Sequence, residues 1–167
     1  MTSPVQTPQD PSIQDQMKQA MRRLAASVTV ITSRDQTRRY AMTATAVTSL
    51  SMDPPALLVC VNNENGIHNA LGAGYGYCVN ILFSDQQDIS ENCAWREKGE
   101  NKFNLGDWRD GPEGLPYLAN AQASIFCDTD GAHAYGSHTI FIGKVRKVIS
   151  REEISPLIFL DGNYTGS

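Results

Sequence analysis

Three strand-like segments follow one another with very short connections, and this spacing limits the possible folds more than any other feature. Residues 28–33, 40–51 and 56–61 are β-branched or alternate between apolar and polar, and a polar stretch at 34–39 and Asp53-Pro54-Pro55 separate them. Runs of this kind are typical of β-strands. A parallel crossover needs a dozen or more residues, which these links do not supply. The sequence therefore predicts an antiparallel meander.

The rest of the chain adds more strands and a few helices. Residues 1–11 contain three prolines and predict a disordered lead-in, followed by a single domain at 12–167. Helical spacing and capping residues predict helices at 12–25, 65–71 and 84–94, with one helical turn at 151–154. Alternation predicts strands at 76–82, 121–130, 137–150 and 156–160, and residues 95–116 read as a long loop. We expect a mainly β protein, a small closed or nearly closed barrel with a few peripheral helices.

Composition excludes several classes of function. The 167 residues are 41% hydrophobic and 19% charged, as expected for a packed core, and the net charge of −4 lacks the basic excess of a nucleic-acid binder. The longest apolar run, residues 56–61, is too short for a membrane helix, and no export signal is visible. We therefore expect a cytoplasmic protein without nucleic-acid or membrane partners.

The cysteines and the common catalytic motifs narrow the chemistry further. Cys60, Cys78, Cys93 and Cys127 are irregularly spaced, which predicts free thiols in a reducing compartment and no metal site. The chain contains no GxGxxG, GxxxxGK[ST], HExxH or GxSxG motif. A dinucleotide-binding Rossmann fold, a nucleotide triphosphatase and the common hydrolases therefore lose their main support.

Residues 43–51 form the most informative segment. On one continuous strand, alternate side chains share a face. Hydroxyl groups would then line one face (Thr43, Thr45, Ser49, Ser51), and apolar side chains the other (Ala44, Ala46, Leu50). The hydroxyl face fits a long polar ligand, and it equally fits a strand that faces solvent.

Three further positions allow both a structural and a ligand-binding interpretation. Asn80 places an amide in an apolar strand and needs a partner, either from the protein or from a ligand. His138 opens a strand, where it is either structural or a polar handle for a second ligand. Lys98 and Phe103 belong to a charged string that fits a phosphate-holding flap with an aromatic lid, or an ordinary surface loop.

Several longer strings resemble the short-chain flavin reductases, which are the reductase components of two-component flavin-dependent monooxygenases. They occur in family order and cover nearly the whole chain after residue 20. The strings are MRRLAASVTVIT (21–32), MTATAVTSLSMDPPALLVCV (42–61), CVNILFSDQ (78–86), KGENKF (98–103), YGSHTIFIGKV (135–145) and PLIFLDGNY (156–164).

This resemblance implies a split β-barrel of antiparallel, Greek-key topology that acts as a homodimer. It implies hydride transfer from NADH or NADPH to FAD or FMN, and delivery of the reduced flavin to a partner monooxygenase. It also implies that His138 and Tyr164 face the nicotinamide. The implied flavin contacts are Thr43, Ala44, Thr45, Ala46, Ser49, Leu50, Ser51, Asn62, Asn80, Lys98 and Phe103.

Two departures from the family pattern affect the implied site. Ser137 stands where many relatives have an aspartate before the histidine, and Ile67 stands where a hydroxyl residue is common. A flavin- or haem-binding split barrel without turnover is the alternative function. The sequence leaves the choice between FAD and FMN open, and equally that between NADH and NADPH.

Overall fold

The computed structural model describes residues 10–165, so the expected lead-in at 1–11 lies almost wholly outside the described residues. Twelve strands and three α-helices form the described part. The helices are α1 (Ile13–Met21), α2 (Gly66–Gly72) and α3 (Gln87–Glu91). The strands are β1 (Ala26–Ser27), β2 (Thr29–Arg34), β3 (Arg39–Ala44), β4 (Val47–Met52), β5 (Pro55–Asn62), β6 (Tyr77–Ile81), β7 (Trp108–Asp110), β8 (Pro116–Leu118), β9 (Ala123–Tyr135), β10 (His138–Ser150), β11 (Ile158–Leu160) and β12 (Asn163–Thr165).

The main sheet has seven antiparallel strands in the order β3-β2-β6-β9-β10-β5-β4. Two small sheets, β1-β11-β12 and β7-β8, lie beside it. The predicted mainly β, antiparallel barrel with few helices is confirmed. The simple meander is wrong at one point, because β3 and β4 are consecutive in the chain but form opposite edges of the sheet.

This connection forces the sheet to curl. Only Thr45 and Ala46 lie between β3 and β4, and the three Cα–Cα steps from Ala44 to Val47 span at most about 11 Å. In a flat sheet, seven strands about 4.8 Å apart would separate the two edges by about 29 Å. The edges must therefore approach each other where the link crosses, which gives a barrel that is split between β3 and β4.

The same crossing overturns the continuous strand predicted at 40–51. The chain leaves the ladder at Thr45 and Ala46, and β4 has an irregular register between Ser49 and Ser51. Each interruption breaks the alternation of faces, so the predicted hydroxyls do not form one ladder. The Thr43 hydroxyl instead donates to the carbonyl of Ser90 at 2.6 Å.

The central strands are buried on both faces. Ile31 and Met42 belong to the cluster that fills the barrel together with α2. Val30 and Ala41 point to the opposite face, where they pack with residues of the segment that follows β6. Because adjacent residues of β2 and β3 lie in different clusters, the outer face of the barrel needs a cover, and residues 82–121 supply it.

Element boundaries differ from prediction mainly at helix ends. The predicted capping contact at α1 forms, since Ser12 Oγ accepts from the Asp15 N–H at 3.2 Å, but the helix ends four residues before the predicted 25. The predicted helix at 84–94 begins only at Gln87 and continues after Glu91 as a π-helical turn, Asn92–Arg96. Residues 151–154 form no helical turn. None of the described helices is long and apolar enough to cross a membrane.

Asn80 fastens the β7–β8 hairpin to the main sheet. Its side chain is fully buried, and its Nδ2 donates to the Val30 carbonyl at 2.9 Å. Its Oδ1 accepts from the Leu118 N–H at 2.9 Å and from the Ser124 hydroxyl at 3.0 Å. A buried amide satisfied by three separate strands is part of the fold and has no capacity left for a ligand.

We expect Asn80→Ala to lower the free energy of unfolding by about 2–4 kcal/mol, because it leaves the buried Leu118 N–H and the Ser124 hydroxyl without their acceptor. Urea denaturation followed by circular dichroism measures this. Ser124→Ala, which removes only one donor, is the matched control, with an expected loss of about 1 kcal/mol. Equal stability of the two variants would contradict the role given to Asn80.

Candidate active site

The open edge of β4 and the link that precedes it carry five of the eleven predicted flavin-contact residues. β4 pairs only with β5, so one side of its backbone has no strand partner. Thr45, Ala46, Ser49 and Leu50 are exposed, and Ser51 is half-buried. Backbone N–H and C=O groups at such an edge are available to the polar rim of a planar heterocycle.

Side chains cover the open edge of β3 in place of a strand. Glu100 Oε1 accepts from the Arg39 N–H at 2.9 Å. The Lys102 ammonium donates to the Ala41 carbonyl at 2.9 Å and to the Cys93 carbonyl at 2.7 Å. These contacts fix residues 98–103 against the barrel, and with them the position of Lys98.

A cationic cavity of about 420 Å³ lies beside this covered edge. Four basic side chains and two acidic ones line it, on a chain whose net charge is −4. The lining comes from the start of β3, the beginning of α2 and the π-helical turn with the loop that follows it. The charged members are Arg38, Arg39, Lys98, Lys102, Glu64 and Glu97, and Asn65, Gly66, Ile67 and Trp95 are among the others.

Internal partners occupy the two arginines of this cavity. Arg39 Nε and Nη2 donate to Glu100 Oε2 at 3.0 and 2.7 Å, and these hydrogen bonds lower the pKa of Glu100. Arg38 Nε donates to the Tyr40 hydroxyl at 2.8 Å. That hydroxyl donates in turn to Asp35, and this hydrogen bond is the main reason that the pKa of Asp35 is strongly lowered.

The two lysines of the cavity have no carboxylate partner among residues 10–165. Lys102 is half-buried, and burial lowers its pKa from the usual value. Lys98 is exposed at the N-cap of the 3-10 turn Gly99–Phe103. The cavity thus holds positive charge that its own carboxylates do not neutralise, which suits an anionic group such as a phosphate.

An apolar groove of about 560 Å³ opens at the link between β3 and β4. Thr45 and Ser49, two of the predicted contacts, share this groove with apolar side chains from five strands and with Leu24 and Ala25, which follow α1. The apolar members include Leu24, Val47, Leu57, Val79, Ile81 and Ile125. The link between β3 and β4 therefore borders the apolar groove, whereas the cationic cavity lies at the start of β3, around Arg39 and Ala41.

Tyr164 and Thr43 meet at a residue that the sequence interpretation missed. The Tyr164 hydroxyl lies 2.9 Å from Ser90 Oγ, and the Thr43 hydroxyl donates to the carbonyl of the same serine. The Tyr164 ring also packs edge-on against Phe159 at 5.2 Å between centroids. β12 is thereby held against the covering segment next to β3.

His138 and Asn62 form a separate group at the end of β5. They are register partners in the β5–β10 pair, and both are exposed. The only polar contact of the His138 ring within residues 10–165 is Ser137 Oγ, 2.9 Å from Nδ1. No hydrogen bond or ring contact in this part of the chain joins His138 to Tyr164.

Two predicted site residues belong to the core instead. Asn80 is fully buried within the hydrogen-bond network described above, so its side chain is removed from the candidate site. Phe103, the expected aromatic lid, is 8% exposed. Its ring lies under the Arg39 guanidinium, 4.2 Å from the centroid, and packs edge-on against Trp108 at 5.2 Å. Neither aromatic ring is free to close over a ligand.

The sequence interpretation also missed Lys102 and Trp95. Lys102 stands in the same charged string as Lys98, and only the fold shows that its ammonium reaches into the cavity and to β3. Trp95 is 62% exposed at the cavity. One signal in the sequence indicates that the Trp95 ring is exposed: the tryptophan stands beside charged residues, in a stretch without apolar periodicity.

Comparisons with known proteins identify relatives over most of the chain. The chain is 42% identical over 147 residues to the reductase component of the FADH(2)-dependent resorcinol hydroxylase of a Rhizobium strain, covering 86% of this chain and 82% of that protein. It is 34% identical to the FMN reductase (NADH) of Stutzerimonas stutzeri, covering 93% and 90% of the two chains. The solved NADH:FAD oxidoreductase of Streptomyces globisporus, in complex with NAD and FAD fragments, matches with a TM-score of 0.86 at 28% identity, covering 96% of each chain.

The profile of one family, described as the flavin reductase like domain, matches residues 21–167. This range includes every strand of the split barrel and every residue that lines the cationic cavity. The chain therefore belongs to the flavin reductase-like family.

Proposed function

We propose that this protein is an NAD(P)H:flavin oxidoreductase that reduces FAD or FMN and supplies the reduced flavin to a separate flavin-dependent monooxygenase. The observation that carries the proposal is the cationic cavity beside the β3 edge of a split barrel, in a member of the flavin reductase-like family. Relatives from Rhizobium and Pseudomonas aeruginosa are reductase components of a hydroxylase and a monooxygenase.

The donor set fits a flavin phosphate. Lys98 and Lys102 carry charge without a carboxylate partner, and Asn65 and Gly66 add polar groups at the start of α2. Ile67 contributes no hydroxyl, so the lysines carry more of the phosphate binding than a family pattern with a hydroxyl here would require. When bound, the flavin supplies the hydride-accepting chemistry, and the protein supplies binding and orientation.

The residues that contact the flavin ring belong to the end of β3, to the link and to β4. Thr45 and Ser49 line the apolar groove, and the unpaired backbone of β4 offers hydrogen-bond donors at its rim. Fixed donors at this edge would favour negative charge that develops on the bound ring. We assign Thr43, Ala44, Thr45, Ala46, Ser49, Leu50 and Ser51 to this side of the site.

The nicotinamide side is assigned to His138 and Tyr164, and Asn62, the register partner of His138, is assigned to the flavin. His138 is exposed, and its Nδ1 lies 2.9 Å from the Ser137 hydroxyl, so Nε2 is open to a ligand. Ser90 holds the Tyr164 hydroxyl in place at 2.9 Å. A second subunit that approaches the link would allow both groups to take part in one site.

A homodimer is supported by the apolar surface around the groove. α1 buries none of its residues, and Ile13, Met17, Met21 and Leu24 are between 51% and 78% exposed at helical spacing. A nine-residue helix is marginal on its own. We propose that a second copy covers this helix and the groove that Leu24 lines.

A cytoplasmic location is proposed from the thiols. All four cysteines are free, and Cys78, Cys93 and Cys127 are buried. Burial raises the pKa of Cys93 and of Cys127 to about 12, so these thiols are structural and unreactive. Free cysteines of this kind are usual in a reducing compartment.

We expect the purified protein to oxidise NADH or NADPH in large excess over enzyme only when FAD or FMN is present, as followed by the absorbance of the reduced nicotinamide. Binding of one flavin equivalent without turnover would contradict the proposal and favour the non-catalytic alternative.

Lys98→Gln should raise the KM for FAD and FMN roughly fivefold and leave that for riboflavin unchanged, because riboflavin has no phosphate for the ammonium to bind. Lys144→Gln, on the exposed part of β10, is the control of equal charge change. An equal effect on all three flavins would remove Lys98 from the phosphate site.

His138→Ala should raise the KM for NADH roughly fivefold while the KM for flavin stays within about twofold, because a nicotinamide contact is lost and the flavin contacts remain. His133→Ala, an exposed histidine on the same hairpin, is the matched control. If steady-state kinetics show an unchanged KM and kcat for NADH, His138 lies outside the site.

Leu24→Glu should convert the dimer into a monomer at micromolar concentration, because it places an unpaired charge in the apolar groove. Sedimentation velocity measures this, and Ile154→Glu, at a site that is 84% exposed, is the control. A monomeric wild-type protein at the same concentration would contradict the proposed dimer.

A further inference from the structure

Trp95 is an exposed aromatic side chain with no structural task in the described chain. Its side chain is 62% exposed, and within residues 10–165 the indole N–H makes no hydrogen bond. Trp108, the other tryptophan, differs in both respects. Its N–H donates to the Leu105 carbonyl at 2.7 Å, and its ring packs against Phe103. Trp108 therefore stabilises the fold, whereas Trp95 leaves a large apolar face in water.

The backbone that carries Trp95 is firmly held. Arg96 pairs with Asp88 at 3.0 Å and with Glu91. Asn92 donates to the Lys102 carbonyl at 2.9 Å, and Cys93 is fully buried. This π-helical turn therefore fixes the backbone that carries the indole. An aromatic side chain on a fixed backbone has few torsions left to order, so it loses little conformational entropy when a flat partner stacks on it.

The surroundings of Trp95 indicate the chemistry of that partner. The indole lines the same cavity as Arg38, Lys98 and Lys102. Cations that bind phosphate next to an aromatic face that accepts a base are the combination used to hold nucleotides. A flavin mononucleotide has a phosphate but no second base, whereas FAD and NADH both carry an adenosine diphosphate half.

We infer that Trp95 is a specificity-determining residue whose indole stacks on the adenine of a bound dinucleotide. The inference rests on the proposed function and adds to it a residue that distinguishes dinucleotides from mononucleotides. The diphosphate lies against Lys98 and Lys102, and the adenine lies on the Trp95 face at the mouth of the cavity. FAD and NADH share this half, and the experiment distinguishes them.

The test compares Trp95→Ala with wild type on two matched pairs of substrates. KM values are measured for FAD against FMN, and for NADH against reduced nicotinamide mononucleotide. Because stacking on one base contributes substantially to binding, we expect its loss to raise the KM of the substrate that carries the bound adenine, FAD or NADH, about tenfold. Trp95→Phe should recover part of the loss, because a smaller aromatic face remains. Leu105→Ala, at an exposed position in the same covering segment, is the control.

If Trp95→Ala raises the KM for FAD but not for FMN, the adenine that stacks on Trp95 is that of the flavin. If it raises the KM for NADH but not for reduced nicotinamide mononucleotide, the adenine is that of the nicotinamide cofactor. Either result supports the inference. Unchanged ratios within both pairs, or an equal rise for FAD and FMN, would overturn it. Wild type that fails to oxidise NADH with any flavin would instead defeat the proposed function, so the two failures are distinguishable.

Discussion

A two-residue connection between strands at opposite edges of one sheet is the constraint on which the rest of this structure depends. Thr45 and Ala46 are too short to join β3 to β4 unless the seven-stranded sheet curls until its edges meet. The barrel remains split there because the two edges are not paired with each other. The split leaves backbone groups unsatisfied along β4, and the candidate site lies where those groups are open.

The β3 edge is covered by side chains, whereas the β4 edge is open, and both edges contribute to the candidate site. Glu100 and Lys102 satisfy backbone groups of β3, which protects an edge that would otherwise be open to pairing. The same segment carries Lys98 and Trp95 to the rim of the cavity. Edge protection and anion binding therefore depend on one stretch of chain, and a change at Lys102 would affect both.

The candidate site is suited to binding and orienting ligands, since the polar groups that line the cavity and the groove are cations, carboxylates, amides and hydroxyls and no cysteine is among them. Positive charge gathered on an acidic chain favours phosphorylated substrates locally without making the whole surface basic. In the arrangement that we propose, Lys98 binds the phosphate, the β4 edge contacts the flavin ring, and Trp95 stacks on the adenine.

The sequence by itself determined the antiparallel β class, the capping of α1 at Ser12, the β9–β10 hairpin and, through its resemblance, the family. These depend on local alternation, capping chemistry and contiguous strings. Only the tertiary structure decided that residues 40–51 are two strands, that Asn80 and Phe103 are core residues, and that Lys102 and Trp95 share a cavity. Those outcomes depend on which residues contact each other across the barrel. Contacts between segments that are distant in the chain cannot be read from the local spacing of residue types.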